Sequence, residues 1–294
     1  MLYDCHVHTF YSGHSENYKI AELKEEALRK GVEISIREHA PFPQEFFDTS
    51  RKNHYQFKGG LPAEKASLTS ETLPLFFNEM AESNASLGFE VDILPGFEKK
   101  TEKIISMLEK KAGECGLCID GINGSHHYYN GIVWDSSPDL LISAMERAGG
   151  CRKFIRSYFG QIRDAMKTGL YDAISHLELP IKFSRKGSKL EKLIKDARRA
   201  YLEELSKTFF TAKENNAAIE YNTSGIDNLC SAPYLSESSL NLAYSMNVPL
   251  TIGSDTHAVR HVGRHFDFAV RQLKKHGIKE LHYFRERKRI SYKI

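Results

Sequence analysis

Residues 2–8 read LYDCHVH and are followed by an amphipathic pattern over 20–31. The first segment is a short β-rich run. The second repeats apolar residues at the i, i+3, i+4 and i+7 positions of a helix, and Gly31 occupies the place of a helix C-terminal glycine. A strand followed by a helix is therefore the unit predicted here.

The same unit recurs along the chain. A further helix start is marked by Ser137, a capping hydroxyl, and by Pro138 at the first helical position. Alternation of this kind indicates parallel strands joined by crossover helices, and so an α/β fold. It favours a (β/α) barrel over an open sheet. The predicted strands lie near 2–7, 33–37, 88–94, 118–124, 172–176, 217–222 and 248–254.

Composition narrows the function classes. The 294 residues are 41% hydrophobic and 27% charged, which allows a normal buried core. A formal charge of +3 gives no strong attraction to nucleic acid or anionic lipid. No apolar run approaches the roughly 20 residues of a membrane span, and no signal-peptide pattern is present. Five scattered cysteines do not form a disulfide framework and indicate a reducing cytoplasm.

Two segments stand apart from this rhythm. Residues 41–73 are long, rich in proline and glycine, and aromatic, so we predict a lid inserted into the domain. The basic segment 285–289 is expected to be a solvated tail, and it is the one feature that favours nucleic acid.

Histidines and carboxylates cluster where the predicted strands end. His6 and His8 are two apart on one strand and so face the same side. The carboxyl ends of barrel strands form the usual active-site face. Burying so many polar groups without partners would cost about 1–3 kcal/mol for each group. Imidazoles with bridging carboxylate suit zinc, iron or manganese. The strand-end residues are His6, His8, His39, Glu90, His126, His127, His176, Glu220, Asp255 and His257.

At these residues the sequence resembles the polymerase-and-histidinol-phosphatase (PHP) superfamily, and within it the stand-alone histidinol-phosphatase branch. The resemblance implies a single domain over 1–294 with a distorted (β/α)7 TIM-like barrel and three divalent metal ions. The motifs that carry it, in chain order, are HVHT at 6–9, EHAP at 38–41, GFEVD at 88–92, GSHH at 124–127, SHL at 175–177, NTSG at 222–225 and GSDTH at 253–257.

The resemblance also implies a ligand set. One ion would be held by His6, His8, Glu90 and Asp255. Glu90 would bridge to a second ion shared with His127 and His176. The third would be held by His14, His39 and His257. The family has an apolar residue where this chain has His126, and alignment assigns the ligand to His127 rather than to its neighbour.

The implied activity is that of a phosphoric monoester hydrolase acting on L-histidinol phosphate in histidine biosynthesis. The resemblance implies attack by a metal-bound hydroxide, with Glu90 and Asp255 as catalytic residues. Either Asp255 or a metal-bound water protonates the leaving alkoxide, and the sequence does not choose between them. The phosphate also needs a cation, for which Lys182, Arg185 and Arg264 are the candidates.

Three alternatives remain open at this point. One is a PHP-family nuclease or editing domain acting on a nucleic-acid terminus, and another is a non-catalytic metal-binding module. The third is a phosphatase for a different small ester or for phosphotyrosine. The partner expected is a small phosphate ester, without nucleic acid or membrane, and the sequence leaves the oligomeric state undetermined. If the head group is histidinol, the lid carboxylates Glu45, Asp48 and Glu64 are candidates to bind its ammonium.

Overall fold

The structure, a computed structural model, describes residues 1–46 and 66–294. Strands and helices alternate along these residues, and the predicted α/β class is confirmed. The strands are β1 Leu2–Val7, β2 Val32–Ile36, β3 Glu38–His39, β4 Leu87–Asp92, β5 Ile119–Ser125, β6 Tyr128–Tyr129, β7 Ile132–Val133, β8 Ala173–Ile174, β9 Ala218–Asn222, β10 Leu250–Gly253, β11 Glu280–Arg285 and β12 Lys288–Lys293. The helices are α1 Ile20–Lys30, α2 Thr72–Ser83, α3 Glu98–Glu114, α4 Pro138–Arg147, α5 Cys151–Lys167, α6 Lys189–Asp196, α7 Arg198–Glu214, α8 Glu237–Met246 and α9 Phe266–Lys275.

A parallel sheet forms the centre. Its six strands run in the order β10-β9-β8-β5-β4-β3, and every neighbouring pair is parallel. Strands β1 and β2 form a separate parallel pair. Single bridges join this pair to its surroundings, Val7 to Thr256 on one side and Ser35 to Ser86 on the other. Within the described residues the strands thus make two parallel sheets in contact, rather than one continuous closed ladder.

Local sequence explains where two helices begin or end. Gly31 follows α1 in the left-handed conformation (φ 66°), and its N–H donates to the carbonyls of Ala27 and Leu28. Ser137 caps α4 by accepting from the N–H of Leu140, with proline at the next position. Both sequence signals are confirmed.

The basic segment near the C-terminus is not a solvated tail, and that expectation is wrong. Strands β11 and β12 pair as an antiparallel hairpin whose turn contains Arg287. The Arg287 guanidinium donates from Nε to Asp172 Oδ2 at 2.9 Å and from Nη2 to the Leu170 carbonyl at 2.7 Å. Leu281 and Phe284 of β11 are both buried. Arg287 and these apolar side chains dock the hairpin on the domain.

Part of the predicted lid, residues 47–65, lies outside the described residues. Before it, Phe46 is buried and packs edge-on against Tyr128, with ring centroids 5.0 Å apart. Glu45 is exposed and forms an ion pair with Lys100 at 2.8 Å. Across residues 1–46 and 66–294, none of the helices has both the length and the apolarity needed to cross a membrane.

Candidate metal centre

Four predicted ligand atoms converge at the carboxyl ends of β1, β4 and β10. The Nε2 atoms of His6 and His8 are 3.1 Å apart. Glu90 Oε2 lies 3.4 Å from His6 Nε2 and 3.3 Å from His8 Nε2. Asp255 Oδ1 lies 3.4 Å from His8 Nε2 and 3.9 Å from His6 Nε2. Two imidazoles and two carboxylates therefore surround one point.

The other carboxylate oxygen of Glu90 faces a second group of ligand atoms. His176 Nε2 lies 2.9 Å from Glu90 Oε1, and His127 Nε2 lies 3.3 Å from His176 Nε2. All three side chains are buried. Glu90 thus presents one oxygen to each group, as a bridging carboxylate does.

The remaining histidines form a third group next to the first. His14 Nε2 and His257 Nε2 are 2.8 Å apart. The ring of His39 lies with its centroid 5.1 Å from that of His14, and its Nδ1 is 3.2 Å from Glu90 Oε2. His8, His39 and His257 also offer atoms close enough to share one ion. All nine predicted ligands thus lie together.

Outer acceptors orient these imidazoles toward the centre. His6 Nδ1 is 2.8 Å from Glu220 Oε1, and His127 Nδ1 is 2.9 Å from Asp92 Oδ1. His14 Nδ1 and His257 Nδ1 each lie 3.0 Å from a backbone carbonyl oxygen. A proton on Nδ1 leaves Nε2 as a bare lone pair, the arrangement typical of metal-ligating histidines. The four rings are therefore set up as ligands.

The chemistry of this set fits divalent metal ions. Three pairs of Nε2 atoms face each other at 2.8–3.3 Å, and two facing lone pairs repel unless a cation lies between them. Nitrogens that share a tetrahedral zinc at about 2.0–2.1 Å are roughly 3.3 Å apart. Carboxylates are also buried here, which requires positive charge nearby. They include Glu38, Glu90, Asp92 and Glu220.

The pKa shifts point the same way. Burial by itself would raise the pKa of Glu90, but the imidazoles of His6 and His39 reverse this and hold it well below its usual range. Burial lowers the pKa of His6, yet Glu220 and Glu90 outweigh it and raise that pKa well above its usual value. Burial, together with His8, lowers the pKa of His257 well below its usual value. The carboxylates thus favour positive charge in the middle of the centre, while neutral imidazole is favoured at its edge.

Two of the predicted ligands lie on unusual backbone. His176 (φ 29°) and Asp255 (φ 53°) both have positive φ, which costs a non-glycine residue about 1–3 kcal/mol. The N–H of His176 donates to Glu220 Oε2 at 2.8 Å, and Arg264 Nη2 donates to the Asp255 carbonyl at 3.0 Å. These contacts hold both turns in place so that the side chains reach the centre.

His126 points away from the centre. Its Nε2 lies 2.6 Å from Gln161 Oε1, and its Nδ1 accepts from the indole N–H of Trp134 at 3.3 Å. Burial lowers the pKa of His126 to about 4. The side chain is thus a neutral, hydrogen-bonded part of the packing, and of the two neighbours it is His127 that reaches the other ligands.

A cavity of about 390 Å³ opens beside the ligand atoms. Lys182 and Arg264 line it, whereas Arg185 is exposed and outside its lining. Lys182 Nζ forms an ion pair with Asp135 Oδ2 at 3.0 Å. Arg264 donates from Nε to the Ser254 carbonyl at 2.8 Å, in addition to its bond to the Asp255 carbonyl. Two of the three predicted phosphate cations therefore reach the cavity.

Sequence reasoning missed several residues of this site. Asp135 and Tyr234 line the cavity, but neither lies at the end of a predicted strand. Asp4, two residues before His6 on β1, accepts from the N–H groups of Ser254 and Gly263 and so fixes the loop after β10. Glu220 was noted as a strand residue, yet its role as the partner of His6 requires the spatial pairing. The available signal was the need of a ligating imidazole for an outer partner, which for His6 and His127 is a buried acid.

Comparison with known proteins identifies the family to which this chain belongs. The model of the PHP domain family matches residues 4–224. This chain belongs to the PHP domain family. The resemblance read from the motifs is thereby confirmed.

Relatives of this PHP domain chain match it over nearly its whole length. A Deinococcus radiodurans protein named "Probable histidinol-phosphatase" is 28% identical over 289 residues, 98% of either chain. Bacillus subtilis histidinol-phosphatase is 23% identical over 275 residues, which cover 88% of this chain and 95% of that one. Among solved structures, Lactococcus lactis histidinol phosphate phosphatase, complexed with zinc, L-histidinol and phosphate, has a TM-score of 0.70 at 20% identity over 98% of both chains. That structural likeness bears on the fold.

Proposed function

We propose that this chain is a metal-dependent histidinol-phosphate phosphatase, which hydrolyses L-histidinol phosphate to L-histidinol and phosphate in histidine biosynthesis. The observation that carries the proposal is the clustering of nine predicted ligand side chains, Glu90 among them, beside a cavity of about 390 Å³. Such a cavity suits a small ester and lies within the usual range for small-molecule sites. The names of the Deinococcus and Bacillus relatives, which match almost end to end, support the same substrate.

Three divalent ions, zinc, iron or manganese, are proposed for the centre. The first group of ligand atoms would hold one, the group of His127 and His176 a second, and the group of His14, His39 and His257 a third. When bound, such ions neutralise phosphoryl oxygens and lower the pKa of a coordinated water toward about 7. Zinc in the Lactococcus structure supports the metal class.

The protein's own contribution is to position and charge this centre. Glu90 joins the first two groups through its two oxygens, which keeps them at a fixed separation. Glu220 and Asp92 are placed to accept the Nδ1 proton of His6 and His127, which directs Nε2 of both rings toward the ions. Asp255 lies among the ligand atoms with 19% of its side chain exposed, against 1% for Glu90. We assign Asp255 the relay of a proton from solvent water to the leaving alkoxide.

We assign the binding of the substrate's phosphate group to Lys182 and Arg264. Both line the cavity, and a fixed cation near the phosphoryl oxygens stabilises charge that develops during hydrolysis. Arg264 is held in the cavity wall by the carbonyls of Ser254 and Asp255 and by an ion pair with Asp227. Arg185, outside the lining, is the weakest of the three predicted candidates.

The distorted (β/α)7 barrel and the single domain over 1–294 are proposed as the frame of this site. The bridges on both sides of the β1–β2 pair support closure, because each links an edge of that pair toward the main sheet. A cytoplasmic location remains a prediction from the cysteine content, and a lid over 41–73 remains a prediction from composition.

A substrate panel on metal-replete protein tests the function. It contains histidinol phosphate, phosphotyrosine, phosphoserine, mononucleotides and a short oligonucleotide. The proposal expects the highest kcat/KM for histidinol phosphate and loss of turnover after chelation. A higher kcat/KM for any other compound of the panel would mean that the substrate is not histidinol phosphate. Turnover that survives complete metal removal would refute the mechanism.

A further inference from the structure

One wall of the cavity carries a buried carboxylate with an oxygen still available for hydrogen bonding. Asp135 is 8% exposed and lines the cavity. Its Oδ2 accepts from Lys182 Nζ. Its Oδ1 is buried, and within residues 1–46 and 66–294 it has no hydrogen-bond partner. An unpaired buried carboxylate oxygen costs free energy unless a ligand donates to it.

The fold brings this carboxylate next to the ligand histidines. Strands β6 and β7 form a tight hairpin directly after His127. The N–H of Trp134, the residue before Asp135, donates to the His127 carbonyl at 3.2 Å and returns the chain to that ligand. Asp135 is therefore held beside the second group of ligand atoms, rather than at the outer rim of the cavity.

A second unpartnered polar atom marks the same wall. The hydroxyl of Tyr234 is buried without a hydrogen-bond partner in the described part of the chain, and the residue lines the cavity. Its ring meets that of His176 edge-on, with centroids 6.3 Å apart. The wall next to His127 and His176 is thus built to receive polar groups of a ligand.

The geometry points to Asp135 as the residue that binds the ammonium group of the substrate and so determines specificity. This inference rests on the proposed function and names the recognition group for it. In histidinol phosphate the ammonium lies on the carbon next to the one that carries the ester oxygen. A carboxylate that binds it must therefore lie close to the reacting phosphate, as Asp135 does. Glu45, exposed and paired with Lys100, lies outside the cavity lining.

Two esters that differ only in the ammonium test the assignment. The first is L-histidinol phosphate, and the second is its desamino analogue, the same ester with hydrogen in place of the amine. The measured quantity is the ratio of their kcat/KM values. A hydrogen bond to a charged group corresponds to roughly tenfold to a hundredfold in such a ratio. We expect the wild type to favour the amine by that factor, and Asp135→Asn to abolish most of the preference.

Two matched variants separate this role from others. Lys182→Met removes the cation that Asp135 pairs with, and it should lower kcat/KM for both esters while the ratio persists. Asp139→Asn makes the same chemical change at an exposed site four residues further on and should leave the ratio at the wild-type value. Metal content and thermal melting are measured for each variant. If Asp135 only holds Lys182, Asp135→Asn will lower kcat/KM equally for the two esters, and that result overturns the assignment.

A wild-type experiment keeps the inference testable if Asp135→Asn does not fold. L-Histidinol and its desamino alcohol are compared as inhibitors of phenyl phosphate hydrolysis. Stronger inhibition by the amine, by about tenfold or more, is expected, and equal inhibition overturns the inference. If instead the wild type hydrolyses histidinol phosphate no better than phenyl phosphate, the proposed function itself fails.

Discussion

Replacing Glu220 with Gln tests how the protein prepares its ligands. The Glu220 side chain is fully buried, and both of its oxygens face donors. Oε1 lies 2.8 Å from His6 Nδ1. Oε2 accepts from the N–H of His176 at 2.8 Å and from Asn222 Nδ2 at 3.0 Å. A glutamine has only one acceptor oxygen, so its NH₂ group must face either His6 or the His176 N–H.

The magnitude follows from this conflict. Losing one charge-assisted hydrogen bond inside the protein costs about 1.5–3 kcal/mol. If the amide turns its NH₂ to His6, the ring accepts at Nδ1 and carries its proton on Nε2, where a metal ligand needs a lone pair. Loss of such an outer partner lowers metal affinity by roughly 10–100-fold. If the amide turns the other way, the strained turn at His176 loses its acceptor. Either orientation damages the centre.

The assay is a metal titration against a chromophoric chelator, with chemical denaturation of metal-free and metal-loaded protein. Glu204→Gln is the matched control. Glu204 is another buried carboxylate, on α7, and its Oε2 pairs with Arg163 Nη2 at 2.6 Å. Both variants should lose stability as metal-free proteins. Only Glu220→Gln should lose metal affinity and turnover. Wild-type affinity in Glu220→Gln, or an equal loss in Glu204→Gln, would refute the reasoning.

Further predictions concern neighbouring positions. Gly253→Ala should lower the free energy of unfolding by about 1–3 kcal/mol and weaken metal binding, because a Cβ there would overlap Glu220 Oε1 and lie 2.6 Å from the Cβ of His6. A metal titration and a melting curve check this, and wild-type values in both would contradict it. His127→Ala should lose metal and activity, whereas His126→Ala should lose stability and keep its metal. Elemental analysis with kinetics separates the two, and the reverse result would mean that the ligand is His126.

Much of the strand framework could be predicted from the sequence. Each of the seven predicted runs overlaps a parallel strand, since short apolar segments between capped amphipathic helices have few other solutions. The ligands at strand ends could be located because parallel strands carry their carboxyl ends to one edge. His14 could not be located in this way, because it follows Gly13 in a turn and lies at no strand end. Only the family resemblance indicated it.

The remaining features depend on pairings across space. The C-terminal hairpin was taken for a tail because its basic residues suggest solvent, whereas Arg287 is used to bind Asp172. Asp135 lies far along the chain from Lys182, and only the β6–β7 hairpin places the pair at the cavity. Glu220 acts through His6, more than 200 residues away. Local patterns predict elements, but the partners of buried charges are set by packing between elements.

In the proposed centre of three metal ions, Glu90 joins two of them. Elemental analysis of metal-replete wild type and Glu90→Gln, together with turnover of histidinol phosphate, tests this arrangement. We expect three ions per chain in the active wild type. The variant should keep no more than the one held by His14, His39 and His257, and it should lose turnover, because a neutral amide is a poor bridge. A fully active Glu90→Gln protein with all three ions, or a fully active wild type with fewer than three, would contradict the account.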